Sequence, residues 1–179
     1  NEICKNLSIE EVELRTRESI DVKEYVQDLE FEKIEINFPP EMEEIRQALL
    51  RVFSNYADEL RSRKLLFGPP TKIGLIELQK KIMGYIARGN KNFNYLIASS
   101  TCAQAIKIQH ALELLETQTL QSFNNYLKTL LDQASKKQSR GVVKLVSKPE
   151  FTFAYLRSNI LLEKGIEHPK VQELVNIIE

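Results

Sequence analysis

LIASSTCAQAIKIQHALELLETQ, residues Leu96 to Gln118, sets the architecture of the chain. At 100° per residue, Ile97, Ile108, Leu112 and Leu115 share one side, while Leu96, Ala103 and Leu114 point to a second and Cys102 and Ile106 to a third. A helix that is apolar nearly all round must sit inside a bundle with other helices packed on it. At about 1.5 Å per residue it is roughly 35 Å long, the span of a small domain. Neither Pro nor Gly interrupts it. The stretch therefore predicts a mainly α fold, a multi-helix bundle around one central helix.

On both flanks, apolar residues repeat at helical spacing. Pro39-Pro40 sets a helix start, and Met42, Ile45, Leu49, Val52, Phe53, Tyr56 and Leu60 form a stripe ending near Arg63. Glu41, Glu43 and Glu44 in its first turn and Arg61, Arg63 and Lys64 in its last complement the helix dipole. Thr71 caps a second helix running through Arg88, with Leu75, Leu78, Ile82 and Ile86 inward and Gly89-Asn90 ending it. Beyond the central helix, Thr119 caps a fourth helix with the stripe Leu120, Phe123, Leu127, Leu130 and Ala134, and a break is expected around Gly141. Ser147 and Glu150 have the S-x-x-E spacing of a capping box, with Pro149 in the first turn of a fifth helix that ends at Gly165. His168-Pro169 starts a last short helix, Lys170–Ile178. On the N-terminal side a helical remnant, a small strand at Glu11–Arg15 and a polar connector precede FEKIEINF (Phe31–Phe38). Its strict alternation predicts a half-buried strand whose partners lie outside this chain or at its N-terminus. The expected fold thus carries a short N-terminal strand or strand pair.

Composition fits this reading. The 179 residues are 42% hydrophobic and 28% charged, as in a globular domain with a real core. No stretch approaches a membrane span, no signal segment opens the chain, and Cys4 and Cys102 are too few for a disulfide framework or zinc site. A cytoplasmic location is the expectation. The chain opens at Asn1 without Met and is read as a piece of a longer protein. Net charge is zero but uneven: residues 1–45 carry five Lys/Arg against fourteen Asp/Glu, residues 46–112 eleven against three, and residues 113–179 nine against eight. A basic middle and an acidic N-terminal segment point to an anionic partner for the former.

Catalytic chemistry is not visible. The six glycines are scattered, none in a G-x-x-x-x-G-K-[ST] frame, and no D-E-x-H or H-E-x-x-H is present. His110, among Ala103, Ile106 and Leu114, reads as a hydrogen-bonded core histidine, and His168 as a turn or cap residue. Cys102 in the most buried helix reads as a small hydrophobe. Glu113 and Glu116 read as ion-pair partners for lysines of a neighbouring helix rather than a carboxylate pair.

Two groups of basic residues are the functional signal. Lys80, Lys81, Arg88 and Lys91 come from one helix and its exit; Lys136, Lys137, Arg140, Lys144 and Lys148 come from one helix-to-helix connection. Cations clustered on a face, with small polar neighbours such as Ser135, Gln138 and Ser139, suit phosphate oxygens rather than base edges. A merely solvated charged face is the competing reading. No aromatic residues are seen interleaved as a stacking platform, which disfavours sequence-specific reading of a single strand.

HALELLETQ (His110–Gln118), DVKEYV (Asp21–Val26) leading into FEKIEINFPPE, and HPKVQELVNII (His168–Ile178) together resemble the archaeal Hef helicase family, related to the eukaryotic FANCM and Mph1 translocases. The resemblance covers essentially the whole chain in order. It implies a helical insert, likened to a polymerase thumb, between the two RecA-like domains of a superfamily 2 helicase that acts on branched DNA in repair. Residues 1–20 then correspond to the tail of the first RecA-like domain, 21–167 to the insert and 168–179 to the lead-in to the second. The family's ATP-binding and hydrolysis motifs and its nuclease domain fall outside these residues. No catalytic, cofactor or metal residue is therefore expected here, while ATP and magnesium are expected for the parent protein. Implied partners are forked or branched DNA and the flanking RecA-like domains. Inserts at the same point occur in double-stranded RNA sensors of the RIG-I type. A protein-interaction module is the alternative, with Leu65, Leu66 and Phe67 as an apolar anchor, although three apolar residues after a helix usually pack beneath it. An unrelated helical domain with incidental lysines is the third reading.

Overall fold

The computed structural model describes residues 2–26, 31–89 and 92–178, which fall into two units, Asn1–Glu35 and Ile36–Glu179. In the first, α1 (Glu2–Asn6) and α2 (Ile20–Lys23) bury no residue. Ser8, with φ of 52°, closes α1, and Arg15 pairs with Glu13 and, at 2.5 Å, with Asp21. Among the described residues there is no β-strand, so the strands expected at Glu11–Arg15 and Phe31–Phe38 are not formed. The physical reason is pairing: alternation supplies a face, but the backbone gains ladder hydrogen bonds only beside another strand. Phe31 stays 88% exposed.

The second unit is a helical bundle. Its helices are α3 (Pro40–Ser62), α4 (Lys72–Ala87), α5 (Phe93–Thr117), α6 (Leu120–Ser135), α7 (Arg140–Val146), α8 (Pro149–Glu163) and α9 (Pro169–Ile178). Central α5 packs against α3, α4, α6 and α7, and α8 closes the bundle over α3 and α6. Ala98, Cys102, Ala105 and Ala111 keep its buried surface thin, so neighbouring helices approach closely, while Ile108, Leu112 and Leu115 fill the lower core. The apolar wrap is less complete than its sequence suggests. Leu96 is exposed, Ile97, Ala103, Ile106 and Leu114 are half-buried, and the polar Thr101 and Gln104 are buried instead. All seven stripe residues of α3 are buried.

Most boundaries obey local chemistry. Thr71 Oγ1 accepts from Gly74 N–H and Thr119 Oγ1 from Ser122 N–H, each at 3.1 Å, and Asn92 Oδ1 accepts from Asn94 N–H, starting α5 at Phe93 rather than Leu96. Gly89 and Gly165, both at positive φ, end α4 and α8; Asn90 lies outside the described residues. Two expectations fail around α7. Gly141 lies within that helix, and the break comes earlier, where Lys137 at φ 52° lets Gln138 N–H reach Gln133 O (3.1 Å) and Lys137 N–H reach Ala134 O (2.9 Å), a helix-ending pair of bonds usually built with glycine. The capping box is not made either. Ser147 ends α7, its hydroxyl donating to Lys144 O at 3.0 Å, and Lys148 stands before α8.

The two histidines separate. His110 is not a core residue: its side chain is 44% exposed, edge-on to Tyr126 at 4.8 Å and 3.5 Å from Glu113. His168 is buried beside Phe38 and accepts the Lys170 N–H through Nδ1 at 3.2 Å, capping α9. Burial first, then the Lys170 charge, hold it below its ordinary 6.5. Burial also pushes the Cys102 thiol up to about 11, which leaves it unreactive.

Candidate nucleic-acid interface

The basic side chains of the bundle divide by what they touch. One set ties helices together. Arg46 donates from Nε to Glu116 at 2.6 Å and from Nη1 to Glu43 at 3.2 Å, joining α3 to α5. Lys72 pairs with Glu113 across α4 and α5, and Arg157 with Glu44 across α8 and α3 at 3.1 Å. Arg63 holds Glu59 and Asn94. The hydrogen bond from Lys72 is the main cause that holds the Glu113 carboxyl below its usual value. Glu113 and Glu116 thus serve as ion-pair partners, one to a lysine and one to an arginine on two different helices.

The second set touches nothing of opposite charge. Among the described residues, Lys80, Lys81, Arg88, Lys136, Lys137, Arg140 and Lys144 are exposed and make no ion pair or side-chain hydrogen bond. Lys148 differs, resting its ammonium 5.4 Å from the centre of the Tyr56 ring. Lys91 lies outside the described residues.

These cations occupy two places. Lys80, Lys81 and Arg88 lie on one face of α4 and line a depression of about 390 Å³ together with Gly84 and Tyr85. Lys136 and Lys137 occupy the end of α6, and Arg140 and Lys144, four residues apart on α7, line a cleft of about 480 Å³ against Ser100 and Gln104 of α5 and Tyr56 and Glu59 of α3, the Glu59 carboxylate being held by Arg63. Gly141 is what lets α7 come this near: a Cβ there would meet Gln104 Nε2 at 2.5 Å and Ser100 Oγ at 2.7 Å. Burial, then Glu59, pushes the Tyr56 hydroxyl up to about 12, so it stays a neutral phenol. Both places border the N-terminal half of α5, α4 through Tyr95 and Ser99 and α7 through Ser100 and Gln104.

The structure adds an aromatic component. Tyr85 stacks on Tyr95, with centroids 5.4 Å apart and planes 26° from parallel, and remains 45% exposed among Lys80, Lys81 and Arg88. The expectation that no aromatic is interleaved with the basic residues is therefore corrected. The signal is present in the sequence, because Tyr85 is four residues from Lys81 and three from Arg88, both neighbour spacings on a helix.

Among the described residues no three His, Cys, Asp or Glu side chains are placed to hold a metal ion. The sequence has no phosphate-loop frame. No described helix is long and apolar enough to cross a membrane. Of the expected apolar anchor, Leu66 is buried and Leu65 packs on the core, leaving only Phe67 exposed.

Comparison with known proteins bears on this surface. The profile of a family described as "Putative ATP-dependent RNA helicase, helical bundle" matches residues 41–159. A Methanocaldococcus jannaschii protein, described as a putative ATP-dependent RNA helicase, is 29% identical over 180 residues, covering 99% of this chain and 22% of that protein. The Drosophila melanogaster DEAD-box ATP-dependent DNA helicase Fancm is 26% identical over 126 residues, 69% of this chain and 8% of that one. The crystal structure of the Pyrococcus furiosus Hef helicase domain is similar with a TM-score of 0.77 at 29% identity, over 99% of this chain and 37% of that chain. The chain spans well under two thirds of each of these relatives.

Proposed function

The chain belongs to the RNA helicase helical-bundle family, as a helical domain of a helicase related to Hef and Fancm, and on that footing we infer that it grips the duplex arms of forked or branched DNA during repair, while RecA-like domains of the same protein hydrolyse ATP and translocate. The observation that carries this reading is the clustering of unpaired cations: seven exposed Lys and Arg stand without ion pairs on α4 and at the α6–α7 junction, whereas the other unpaired ones, Arg51, Lys64, Lys107, Lys128 and Lys164, are scattered singly and Arg46, Lys72 and Arg157 are paired across helices.

The physics of the grip is electrostatic. A cation already paired must give up its carboxylate before it can hold a phosphate, whereas an unpaired one exchanges only water and releases a counterion from the DNA. Rigid helices fix where the charges stand, so the set can match a backbone path without ordering a loop. With contacts to phosphate rather than base edges, the grip follows shape and charge, not sequence.

The test titrates the chain against a labelled three-way fork, a linear duplex and a single strand at two salt concentrations, with an RNA duplex alongside. Preference for the fork, with affinity falling steeply as salt rises, is expected. Absence of DNA binding at low salt by a well-folded chain, or preference for the RNA duplex, overturns the reading.

A further inference from the structure

Gly84 is unexplained by the fold. It sits in the middle of α4, where glycine costs about 1 kcal/mol relative to alanine. The bundle's other helical glycines have a packing or capping neighbour: Gly141 faces Gln104 and Ser100, and Gly74 lies 3.1 Å from Thr71 Oγ1. A Cβ at Gly84 would meet nothing within 4 Å, and its backbone is not at positive φ. Neither a close protein neighbour nor a turn calls for glycine here. Gly84 instead lies on the floor of an open depression of about 390 Å³, with Lys80 and Lys81 on one side, Arg88 on the other and Tyr85 as a wall.

The lining defines the occupant. Three cations without carboxylate partners call for a phosphate, and among the described residues no acidic side chain lines the notch. An exposed phenol ring, held at its back by Tyr95, offers a flat apolar surface in a fixed orientation. Phosphate and flat ring one step apart are the two parts of a nucleotide whose base is free of its partner strand. Bases inside a duplex do not present their faces, so a duplex arm would use the cations and leave the ring idle. We propose that the Gly84 notch of α4 seats one unpaired nucleotide, its base against Tyr85 and its phosphate held by Lys80, Lys81 and Arg88. The proposal rests on the nucleic-acid reading above and adds to it a preference for a single-stranded segment beside the gripped duplex. Since ring and phosphate are common to DNA and RNA, oligothymidylate and oligouridylate are both probes.

The experiment measures affinity of the whole chain for a blunt duplex, the same duplex with a single-stranded thymidine tail, oligothymidylate and oligouridylate. Gly84→Leu adds a side chain whose Cβ meets nothing within 4 Å, and it improves helix propensity, so the fold is expected to hold, which a thermal melt verifies. Tyr85→Leu removes the ring face, and Tyr85→Phe keeps it. Gly84→Leu and Tyr85→Leu are expected to lose about 5- to 160-fold in affinity for the tailed duplex, the range for one stacked base, with blunt-duplex affinity unchanged and Tyr85→Phe like wild type. Weakened binding of oligothymidylate alone identifies a DNA strand, and weakened binding of both oligonucleotides the shared chemistry. Equal affinities of all variants for the tailed duplex, or parallel weakening on the blunt duplex, overturn the notch while leaving the duplex grip standing. Failure of wild type to bind the blunt duplex strikes the grip itself.

Discussion

Arg46, Arg61 and Arg63 of α3 and its cap carry the same charge as the cations of α4 and α7 and do the opposite. Each of the three arginines is bound to a carboxylate within the bundle, and Arg46 reaches across to α5. On α4 and α7, Lys80, Lys81, Arg88, Arg140 and Lys144 have no such partner, although Lys72 at the start of α4 has one. The difference lies in the distribution of acids. Glu43, Glu44, Glu113 and Glu116 each meet a cation of α3, α4 or α8, Glu59 holds Arg63 although it also lines the α7 cleft, and Glu77 stands alone on α4. Charge that is balanced locally holds helices in register; charge left unbalanced is available to a partner. Sequence position therefore says less about a lysine than whether an acid folds up beside it.

Substitutions on either side of this contrast should have effects of different size and sign. The largest stability effect is expected from Gly141→Leu, which drives a side chain into Gln104 and Ser100 and should cost about 1–3 kcal/mol in denaturant unfolding. Because it lifts α7 from α5, it should also weaken nucleic-acid binding through Arg140 and Lys144 while leaving the α4 notch intact. Next comes Lys137→Gly. A lysine at φ 52° is strained by roughly 1 kcal/mol relative to glycine, so this variant should melt higher and yet bind nucleic acid less tightly, moving stability and function in opposite directions. Lys72→Met removes a part-exposed pair and should cost no more than about 1 kcal/mol, with binding unchanged, as expected of a cation that serves the bundle.

The smallest effect is on pH. His168 is held below 6.5 in the folded chain, so the unfolded chain binds a proton first as pH falls, and stability should decline from about pH 6.5 downward. Glu113 is held below 4.5 chiefly by Lys72, so its contribution is complete above pH 4.5 and is lost as pH drops through its folded value. Urea midpoints between pH 8 and pH 3 check both. His168→Gln should flatten the upper part and Lys72→Met the lower.

Much of the bundle is legible in the sequence because its boundaries are set by local chemistry. Thr71, Thr119, Pro40 and Gly165 act within one turn, and the α3 stripe is regular enough to leave no alternative. What the sequence hides is decided by contacts distant in the chain. FEKIEINF has the period of a strand but no described strand beside it. Helix α7 is hidden twice over, since Gly141 looks like a break and Ser147-Lys148-Pro149-Glu150 like a helix start, while the true stop rests on a lysine in a conformation that sequence assigns to glycine. The candidate surface is half legible. The basic clusters stand out, but which cations are free depends on pairs such as Arg46 with Glu116, 70 residues apart. Tyr85 has the helical spacing that marks it, yet it lies among lysines rather than among aromatics, which hides it.

The sharpest test is a charge-matched pair of triple variants compared by the salt dependence of fork binding. One variant changes the paired Arg46, Lys72 and Arg157 to Gln, the other the unpaired Lys81, Lys137 and Arg140, so each loses the same net charge. The unpaired set is expected to flatten the slope of log affinity against log salt by about 1 for each phosphate no longer held, with the melting temperature kept or raised. The paired set should lower the melting temperature and leave the slope unchanged. Equal slopes in the two variants would contradict the account, because the cations would then act only through net charge and the division between them would carry no function.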